Sequence, residues 1–167
     1  TTEIYTLSLH DALPIYLPEI LLLQKLCYQK EAKRYKDYSI PPLTQNLPEI
    51  EAEFPITTFL KLMHGAKIIG SIKGKVSGST CEIGRLMVHP DYQRQGLGKG
   101  LIQEIEKIIC QQSANKVERF ELFTGEQSFD NIALYEGQGY RIYKTEPFDK
   151  AKNIVYMEKR TPLADTH

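Results

Sequence analysis

The sequence predicts a single α/β domain, and three observations indicate this fold class. A β-branched run at 83–88 passes through a glycine-containing loop into an amphipathic helix that starts near Leu97. A second strand-like run at 119–124 precedes a second helical segment at 128–136. The length of 167 residues is that of one domain. Strands that alternate with helices along one chain of this length favour an α/β domain.

The first fifteen residues are set aside from this fold prediction. Residues 1–15 (TTEIYTLSLHDALPI) resemble the translation of a common sequencing adapter over their whole length, and the resemblance ends at Ile15. Their apolar and polar residues also alternate between Ile4 and Leu9, so a genuine first strand is the alternative. We therefore predict an artefactual segment at 1–15, one domain at 16–160 and a short polar tail at 161–167.

The start of the predicted domain has a helical pattern. Apolar residues recur at helical spacing through 17–37, which predicts one helix with a charged end. The two prolines within 39–45 end this helix, because proline lacks a backbone donor and biases the preceding residue away from helix. Residues 47–54 are acidic and predict a short helix or turn.

The loop at 93–99 has the features of an anion-binding site at the start of a helix. Gly96 and Gly98 lack a Cβ and let the backbone approach a ligand closely. The free N–H groups of the first helical turn favour a negative charge, and Arg94 and Lys99 add positive charge. The loop lacks the Ser or Thr of a P-loop and the last glycine of a dinucleotide fingerprint. A strand-to-helix turn without a ligand is the alternative.

Further strands and a helix complete the expected order. Residues 59–63 and 66–73 predict a β-hairpin. The helix at 128–136 is predicted to be capped by Ser128, because serine is a favoured N-cap residue. Gly137 is expected to end that helix, and Tyr140 begins another strand-like run.

The segment Gln93-Arg94-Gln95-Gly96-Leu97-Gly98 matches the pattern Q/R-x-x-G-x-G/A. Together with the preceding strand that ends in Leu86-Met87-Val88-His89-Pro90 and the following apolar helix, it resembles the pyrophosphate loop of the GCN5-related N-acetyltransferase (GNAT) superfamily, which binds acetyl-CoA. The resemblance covers roughly residues 59–159, and more loosely the helix before them.

The resemblance implies a fold and a cosubstrate. The expected fold is a mixed, mostly antiparallel sheet of six or seven strands, with helices on both faces. Two central strands, ending at Val88 and at Thr124, are expected to separate so that the pantetheine of acetyl-CoA lies between them. The residues expected to contact acetyl-CoA are Leu86, Met87, Val88, Gln93, Arg94, Gln95, Gly96, Leu97, Gly98, Lys99, Asn131 and Tyr135.

Two residues are candidates for the chemistry of acetyl transfer. Glu82 precedes Gln93 by the offset at which histone-type members of the superfamily carry a catalytic glutamate, so the resemblance implies that Glu82 is the general base. An exposed strand carboxylate, or an ion pair with Arg85, is the alternative. Tyr135 matches the position of a tyrosine that acts as acid toward the CoA sulfur, although a helix tyrosine is also commonly a packing residue. The resemblance implies direct attack by the amine, without a covalent enzyme intermediate.

The acceptor is less well defined by the sequence. The resemblance implies a substrate cleft built from residues 35–54, in which aromatic and acidic side chains can bind an amine; the candidates are Tyr35, Tyr38, Glu49, Glu51 and Glu53. A solvated acidic helix explains the glutamates equally well. A small-molecule amine and a protein amine both remain open as acceptors.

A non-catalytic acyl-CoA-binding module and a nucleotide-binding α/β protein are the alternative functions.

The amino-acid composition limits the kinds of partner and environment that are expected for the chain. The chain is 41% hydrophobic and 25% charged, with 21 basic and 21 acidic residues, so it has no basic surplus that would favour nucleic acid. No apolar run is long enough to span a membrane. The three cysteines are odd in number and widely spaced, which favours a reducing, cytoplasmic location over a disulfide framework. No metal-ligand spacing is visible, and we expect a monomer or homodimer.

Overall fold

Seven strands form one sheet in the order β1-β2-β3-β4-β5-β7-β6. The computed structural model describes residues 2–6, 16–149 and 152–162. All neighbouring strands are antiparallel except β4 and β5, which are parallel. The sheet is therefore mixed and mostly antiparallel, as predicted. The strands are β1 (Thr2–Thr6), β2 (Thr58–His64), β3 (Lys67–Ser77), β4 (Thr80–Val88), β5 (Arg119–Gly125), β6 (Arg141–Asp149) and β7 (Lys152–Arg160).

Helices connect these strands and cover both faces of the sheet. Two short 3-10 turns, Phe54–Ile56 and Pro90–Tyr92, precede β2 and follow β4 respectively. The α-helices are α1 (Tyr16–Cys27), α2 (Gln29–Tyr35), α3 (Pro41–Thr44), α4 (Leu47–Glu53), α5 (Leu97–Gln112) and α6 (Phe129–Gly137).

The hydrophobic core is divided between the two faces of the sheet. On one face α5 buries a stripe at spacings of three and four residues, which is the pattern expected of an amphipathic helix; these residues are Leu101, Ile102, Ile105 and Ile109. On the other face α1 and α4 pack on Phe59, Ile68 and Met87. Burial of each such side chain stabilises the fold by about 1.5–3 kcal/mol. The expectation of helices on both faces is confirmed.

A β-bulge interrupts β4. Ser71 of β3 lies opposite Met87, and Lys73 lies opposite Gly84, so Arg85 and Leu86 together face one residue of β3. Arg85 adopts a left-handed backbone conformation with φ 51°. An extra residue in one strand bends that strand and increases its local twist. The bulge therefore turns the end of β4 away from its earlier direction.

β4 and β5 pair over only three register positions. Thr80, Cys81 and Glu82 lie opposite Arg119, Phe120 and Glu121. Beyond Glu82, β4 continues to Val88 and β5 continues to Gly125 without further pairing between them. We call this opening the strand gap. The predicted separation of the two central strands is confirmed, and the bulge lies within the part of β4 that does not pair with β5.

Two local predictions were wrong. The helix expected at 17–37 is two helices, because Tyr28 has φ −86° and ψ 1° between α1 and α2. Ser128 occupies the N-cap position of α6 but makes no capping hydrogen bond. Its hydroxyl donates instead to Oε2 of Glu31, at 2.6 Å, and lies 2.8 Å from the hydroxyl of Tyr35. Tertiary contacts with α2 thus replace the local cap.

The two ends of the chain bear on the predicted domain limits. Residues 2–6 form the edge strand β1, which pairs with β2, and Ile4 packs partly buried against the core. The origin of residues 1–15 stays a prediction. At the other end Thr161 is buried, and its N–H donates to the carbonyl of Glu118 at 2.9 Å. The rest of the predicted tail, from 163 onward, lies outside the described residues.

Candidate active site

The loop between β4 and α5 forms the anion cradle, residues 93–99. Arg94 has φ 64° and Gly96 has φ 76°, so two left-handed residues turn the chain just before α5 begins at Leu97. The Gln93 side chain closes the loop, because its Nε2 donates to the carbonyl of Val88 at 3.0 Å. No acidic residue stands in the first turn of α5. The first N–H groups of a helix lack intrahelical acceptors, so this turn presents donors to an anion.

Gly98 has a packing role in addition to its place in the cradle. A Cβ at this position would lie 3.4 Å from Cδ2 of Leu134 on α6, with Leu86 and Val88 of β4 at 3.9 Å. A larger side chain would therefore press on the junction of α5, α6 and β4. Arg94, Gln95 and Lys99 are exposed around this junction.

The end of β4 forms one wall of the strand gap. Met87 is buried against α1, whereas Leu86 and Val88 pack partly buried against the α5 cluster. Val88 and Met87 pair with β3 on one side, so their other backbone edge faces the gap. The thiol of Cys27 also lies here, with Sγ 3.4 Å from the carbonyl of Val88.

Asn131 and Tyr135 lie on α6, one turn apart. Asn131 Nδ2 donates to Oγ1 of Thr124, near the end of β5, at 3.4 Å. Tyr135 is buried, with its ring edge-on to Tyr140 at a centroid distance of 6.1 Å. Burial raises the pKa of Tyr135 well above its usual range, and the nearby Tyr28 adds to the shift. The Tyr135 phenol is therefore protonated at all ordinary pH values.

Glu82 lies in an open groove beside the start of the strand gap. The groove has a volume of about 200 Å3 and is lined by Glu53, Ile56, Thr57, Lys73, Lys75, Glu82 and Gly84; we call it the Glu82 groove. Glu82 is exposed, and its carboxylate makes no hydrogen bond or ion pair with any residue that the structure describes. Its suggested ion pair with Arg85 is not formed. Its charge acts on Lys73, which lines the same groove.

Among the five acceptor-site candidates, all of which the structure describes, Glu53 alone lines this groove. Glu49 is engaged in a capping box with Asn46 at the start of α4. The Tyr35 hydroxyl is bound to Ser128 and to the N–H of Gln127. Glu51 and Tyr38 are exposed on other surfaces. The sequence could not separate these candidates, because all five fall in one polar stretch.

Glu53 is held in place by two partners. Its Oε1 accepts from Nζ of Lys73 at 2.8 Å, and its Oε2 accepts from Nε2 of Gln45 at 3.2 Å. The Gln45 side chain is in turn fixed by a 2.9 Å hydrogen bond from Gln24. Both oxygens of the Glu53 carboxylate therefore accept hydrogen bonds within the domain.

The sequence reasoning gave no site role to Lys73, which lines the Glu82 groove, or to Arg85 and Tyr28, which lie outside its lining. Burial lowers the pKa of Lys73, against the opposing effect of Glu53; the charge of Arg85 lowers this pKa further, whereas the charge of Glu82 raises it. The guanidinium carbon of Arg85 lies 5.9 Å from the ring of Tyr28. Burial raises the pKa of Tyr28 to about 12, although Arg85 opposes this shift. The sequence signal that could have drawn attention to Lys73 was a lysine placed within the apolar run of β3.

The cysteines carry thiols, not thiolates. Cys27, Cys81 and Cys110 are free, and burial raises the pKa of Cys27 and of Cys81 to about 12. Within the described part of the chain, no cluster of three or more His, Cys, Asp or Glu side chains is arranged to hold a metal ion. None of the helices at 16–149 combines the length and the apolar character needed to cross a membrane.

Comparison with known proteins relates this arrangement to one family and one fold. The acetyltransferase (GNAT) family matches residues 17–140. The UPF0157 protein YqkA of Bacillus subtilis is 29% identical over 150 residues, which cover 84% of this chain and 43% of that protein. The chain therefore spans less than half the length of this curated relative.

Two solved structures show the likeness of the fold. The PaiA N-acetyltransferase of Thermoplasma acidophilum, crystallised with coenzyme A, superposes with a TM-score of 0.77 at 21% identity, covering 96% of this chain and 99% of that one. The ribosomal-protein-S18-alanine N-acetyltransferase of Escherichia coli gives a TM-score of 0.68 at 18% identity, over 96% and 94% of the two chains. At these identities the likeness establishes a shared fold.

Proposed function

This chain belongs to the acetyltransferase (GNAT) family, and on that premise we propose that it transfers an acetyl group from acetyl-CoA to the nitrogen of an amine. Family membership confirms the resemblance seen in the loop at 93–98. The identity of the donor, the nitrogen acceptor and the roles of individual residues are parts of the proposal.

The strand gap is the observation that carries this proposal. It opens beyond Glu82, with the anion cradle following the end of β4 and with Asn131 and Tyr135 on the β5 side. A cosubstrate with a pyrophosphate and a long thin arm fits such a site, because the cradle offers donors to the anion. The unpaired edge of β4 offers backbone groups to the arm.

The residues of the cradle suit a pyrophosphate. The first turn of α5 has no acidic residue that would repel it, and Arg94 and Lys99 are exposed nearby. When bound, acetyl-CoA supplies an activated thioester. Backbone N–H groups of residues 86–88 that face the gap are the candidates to stabilise the developing charge on the thioester oxygen.

Glu82 is the proposed general base. An amine like that of lysine has a pKa of about 10.4, so its deprotonation at pH 7 costs about 4–5 kcal/mol. A free carboxylate beside the strand gap can accept this proton, directly or through one water molecule. The exposed position of Glu82 in the groove, where the strand gap opens, supports this role.

Tyr135 is proposed to assist the leaving sulfur. Burial raises the pKa of Tyr135, so its hydroxyl keeps its proton firmly. A phenol of this kind is better suited to donate a hydrogen bond to a thiolate than to transfer its proton completely. Its position one turn from Asn131 on α6 supports a role on the β5 side of the gap.

Direct attack by the amine is the proposed route of transfer. A covalent route would need an activated cysteine or similar nucleophile. Burial raises the pKa of Cys27 and of Cys81 to about 12, which keeps both as unreactive thiols at neutral pH. These properties support transfer in a single step.

Two measurements test the proposed function. Calorimetric titration of the full chain with acetyl-CoA, coenzyme A, ATP and NAD determines which ligand the cradle prefers. Release of free thiol from acetyl-CoA, followed with a panel of amines and confirmed by mass spectrometry of the acetylated product, detects transfer. We expect acetyl-CoA to bind at least tenfold more tightly than ATP or NAD, and at least one amine to be acetylated.

Two other outcomes would each replace acetyl transfer with a different function. Tight acetyl-CoA binding without acetylation of any amine would make the chain a non-catalytic acyl-CoA-binding module. Equal affinity for ATP or NAD would make the cradle a general nucleotide site.

A further inference from the structure

Tyr28 stands at the break between α1 and α2, on the β4 side of the strand gap. Its ring packs against the apolar cluster of α1, α4 and β4 to which Met87 belongs. The preceding residue, Cys27, has its Sγ 3.4 Å from the carbonyl of Val88, the last residue of β4. The helix break therefore brings the Tyr28 side chain to the part of β4 that does not pair with β5.

Arg85 contacts Tyr28 from the bulge in β4. The guanidinium carbon of Arg85 lies 5.9 Å from the centre of the Tyr28 ring. A bulge commonly re-aims a side chain beside a functional site, and Arg85 is one of its two residues. Both the charge of Arg85 and hydrogen bonding from its guanidinium act on the Tyr28 hydroxyl. Since a guanidinium can only donate, the phenol oxygen is the acceptor and its own hydrogen points elsewhere.

The Tyr28 hydroxyl can donate this hydrogen to a ligand. Over the described residues, the buried side-chain polar atoms without a hydrogen-bond partner are Nε of Arg85 and Oγ1 of Thr161. No residue that the structure describes accepts a hydrogen bond from Tyr28, yet its oxygen is not among these buried atoms, so the oxygen reaches accessible space. Burial raises the pKa of Tyr28 to about 12, which keeps the hydroxyl protonated at neutral pH.

Tyr135 approaches the same region from the other side of the gap. It lies on α6, one turn from Asn131, which bonds to the end of β5. The two phenols are near enough for Tyr28 to raise the pKa of Tyr135, after the larger effect of burial. Tyr28 is thus the phenol on the side of β4, where the backbone N–H groups of residues 86–88 are the candidates for binding the thioester oxygen.

Resting on the proposed function, we propose that Tyr28 is a further donor to the thioester oxygen of acetyl-CoA, and that Arg85 is the residue that positions it. When the amine attacks the carbonyl carbon, the π electron pair moves to the oxygen. The Tyr28 hydroxyl donates a hydrogen bond to this oxygen and keeps its proton, beside the backbone donors of β4. The hydrogen bond from Arg85 polarises the phenol and strengthens it as a donor. Tyr135 is left to act on the sulfur.

The carbonyl stretch of bound acetyl-CoA tests this role without any acceptor. Acetyl-CoA that is isotopically labelled at the thioester carbonyl is bound to the full chain, and its band is measured by isotope-edited infrared spectroscopy. A hydrogen bond weakens the C=O bond and lowers its frequency, so Tyr28→Phe is expected to move the band to higher frequency. Tyr16→Phe, in a ring that packs on the same apolar cluster, is the matched control. An unchanged band in Tyr28→Phe overturns the proposal.

Arg85→Asn tests the positioning role. Asparagine tolerates the left-handed conformation at position 85, where φ is 51°. We expect the band to move part of the way toward its frequency in Tyr28→Phe, and to move no further when the two changes are combined, because Arg85 acts through the Tyr28 hydroxyl. An equal shift in both backgrounds overturns the positioning role. The Tyr28→Phe result decides the role of the hydroxyl even if Arg85→Asn does not fold.

Steady-state kinetics with an amine from the panel gives a second measurement. Loss of one oxyanion donor typically lowers kcat by about 10²–10³-fold. Tyr28→Phe is expected to show a loss on this scale, while the Kd for acetyl-CoA, measured by calorimetry, changes by less than about tenfold. A lowered kcat with an unchanged carbonyl band would assign the hydroxyl to another step and overturn the proposal.

The results also separate this proposal from the proposed function. Acetylation of an amine with an unchanged band in Tyr28→Phe overturns the role of Tyr28 and leaves the acetyltransferase standing. A shifted band without acetylation of any amine supports the contact between Tyr28 and the thioester and overturns the proposed transfer. Failure of the chain to bind acetyl-CoA overturns both.

Discussion

Glu82 on β4 lies opposite Glu121 on β5, and this pair is the last register position at which the two strands are joined. The β-bulge at Arg85 follows three residues later along β4. The proposed base therefore stands where the strand gap opens, next to the edge of β4 that is proposed to bind the acyl donor. Three predictions concern this site, and two concern the stability of the domain.

Gly96→Val is expected to weaken acetyl-CoA binding at least tenfold, or about 1.4 kcal/mol. The backbone of Gly96 has φ 76°, a conformation that a β-branched residue strongly disfavours, so the cradle must change shape. Calorimetry measures the affinity, and Gly137→Val, at the end of α6, is the matched control. Unchanged affinity in a folded Gly96→Val variant would remove the cradle from the binding site.

Gly98→Val should also weaken binding, with a lower melting temperature because of its contact with Leu134.

Glu82→Gln is expected to lower kcat by about 10²-fold near pH 7, the usual scale for one general base. Activity should partly recover as the pH rises toward the pKa of the acceptor, because the amine then loses its proton without help. The measurement is a kcat–pH profile with the acceptor found in the amine panel. Glu51→Gln, on the exposed surface of α4, is the control. Full activity of Glu82→Gln at every pH would place the base elsewhere, with Glu53 the next candidate.

Tyr135→Phe is expected to lower kcat while leaving the affinity for acetyl-CoA nearly unchanged. Phenylalanine keeps the ring that packs on Tyr140 and removes only the hydroxyl proposed to assist the sulfur. Because burial raises the pKa of Tyr135, the pH dependence of kcat should keep its shape in the variant. Steady-state kinetics and calorimetry measure the two effects, with the exposed Tyr38→Phe as control. A normal kcat in this variant would mean that Tyr135 has only a packing role.

Asp130→Asn is expected to destabilise the fold at neutral pH, and the effect should fade in acid. Burial tends to raise the pKa of Asp130, but hydrogen bonds from Lys30 and Arg34, with their charges, outweigh it and hold the pKa at about 2. Since this value is below the unfolded value of about 3.9, the ion pairs stabilise the fold above that pH. Their contribution is lost as the pH falls toward 2.

The size of this effect is limited by solvent. The Asp130 side chain is 45% exposed, so screening should keep its contribution below about 1 kcal/mol. That corresponds to at most about 4 °C in melting temperature. Thermal melts from pH 7 to pH 2, with Glu136→Gln on the same helix as control, measure the difference. A difference that is constant with pH would show that the ion pairs are not its source.

Removal of residues 1–15 is expected to lower the melting temperature by less than about 4 °C, near 1 kcal/mol. β1 is an edge strand, and among residues 2–5 only Ile4 is even partly buried, so the side chains of this strand contribute little apolar burial. Thermal melts of the full chain and of a chain that starts at Tyr16 test this. A larger fall would mean that the segment is integral to the domain.

Much of the fold could be predicted because its signals are local. The stripe from Leu101 to Ile109 lies within one helix, and its spacing alone specifies which face is buried. The anion cradle is also local, since Gly96, the helix start and the neighbouring charges lie within a few residues. The family resemblance added the strand gap, which no local pattern in β4 or β5 would have indicated.

Only the tertiary structure decided those features that depend on contacts between residues distant in sequence. Ser128 should have capped α6 by its local propensity, but contacts with Glu31 and Tyr35 on α2 determine its hydrogen bonds. Glu53 of α4 pairs with Lys73 of β3 and lies in the same groove as Glu82, whereas Glu49 and Glu51 are not among the residues that line it. The position of Arg85 depends on a bulge that is defined only by the register of β4 against β3.

The sequence by itself therefore determined the order of elements, the cradle and the family, because periodicity, turn residues and a contiguous motif are written along the chain. Only the tertiary structure decided which charges share the Glu82 groove. Strand register sets that choice, because a shift of one residue moves a side chain to the opposite face of the sheet. The opposition of Lys75 and Glu82 in this groove is a consequence of that register.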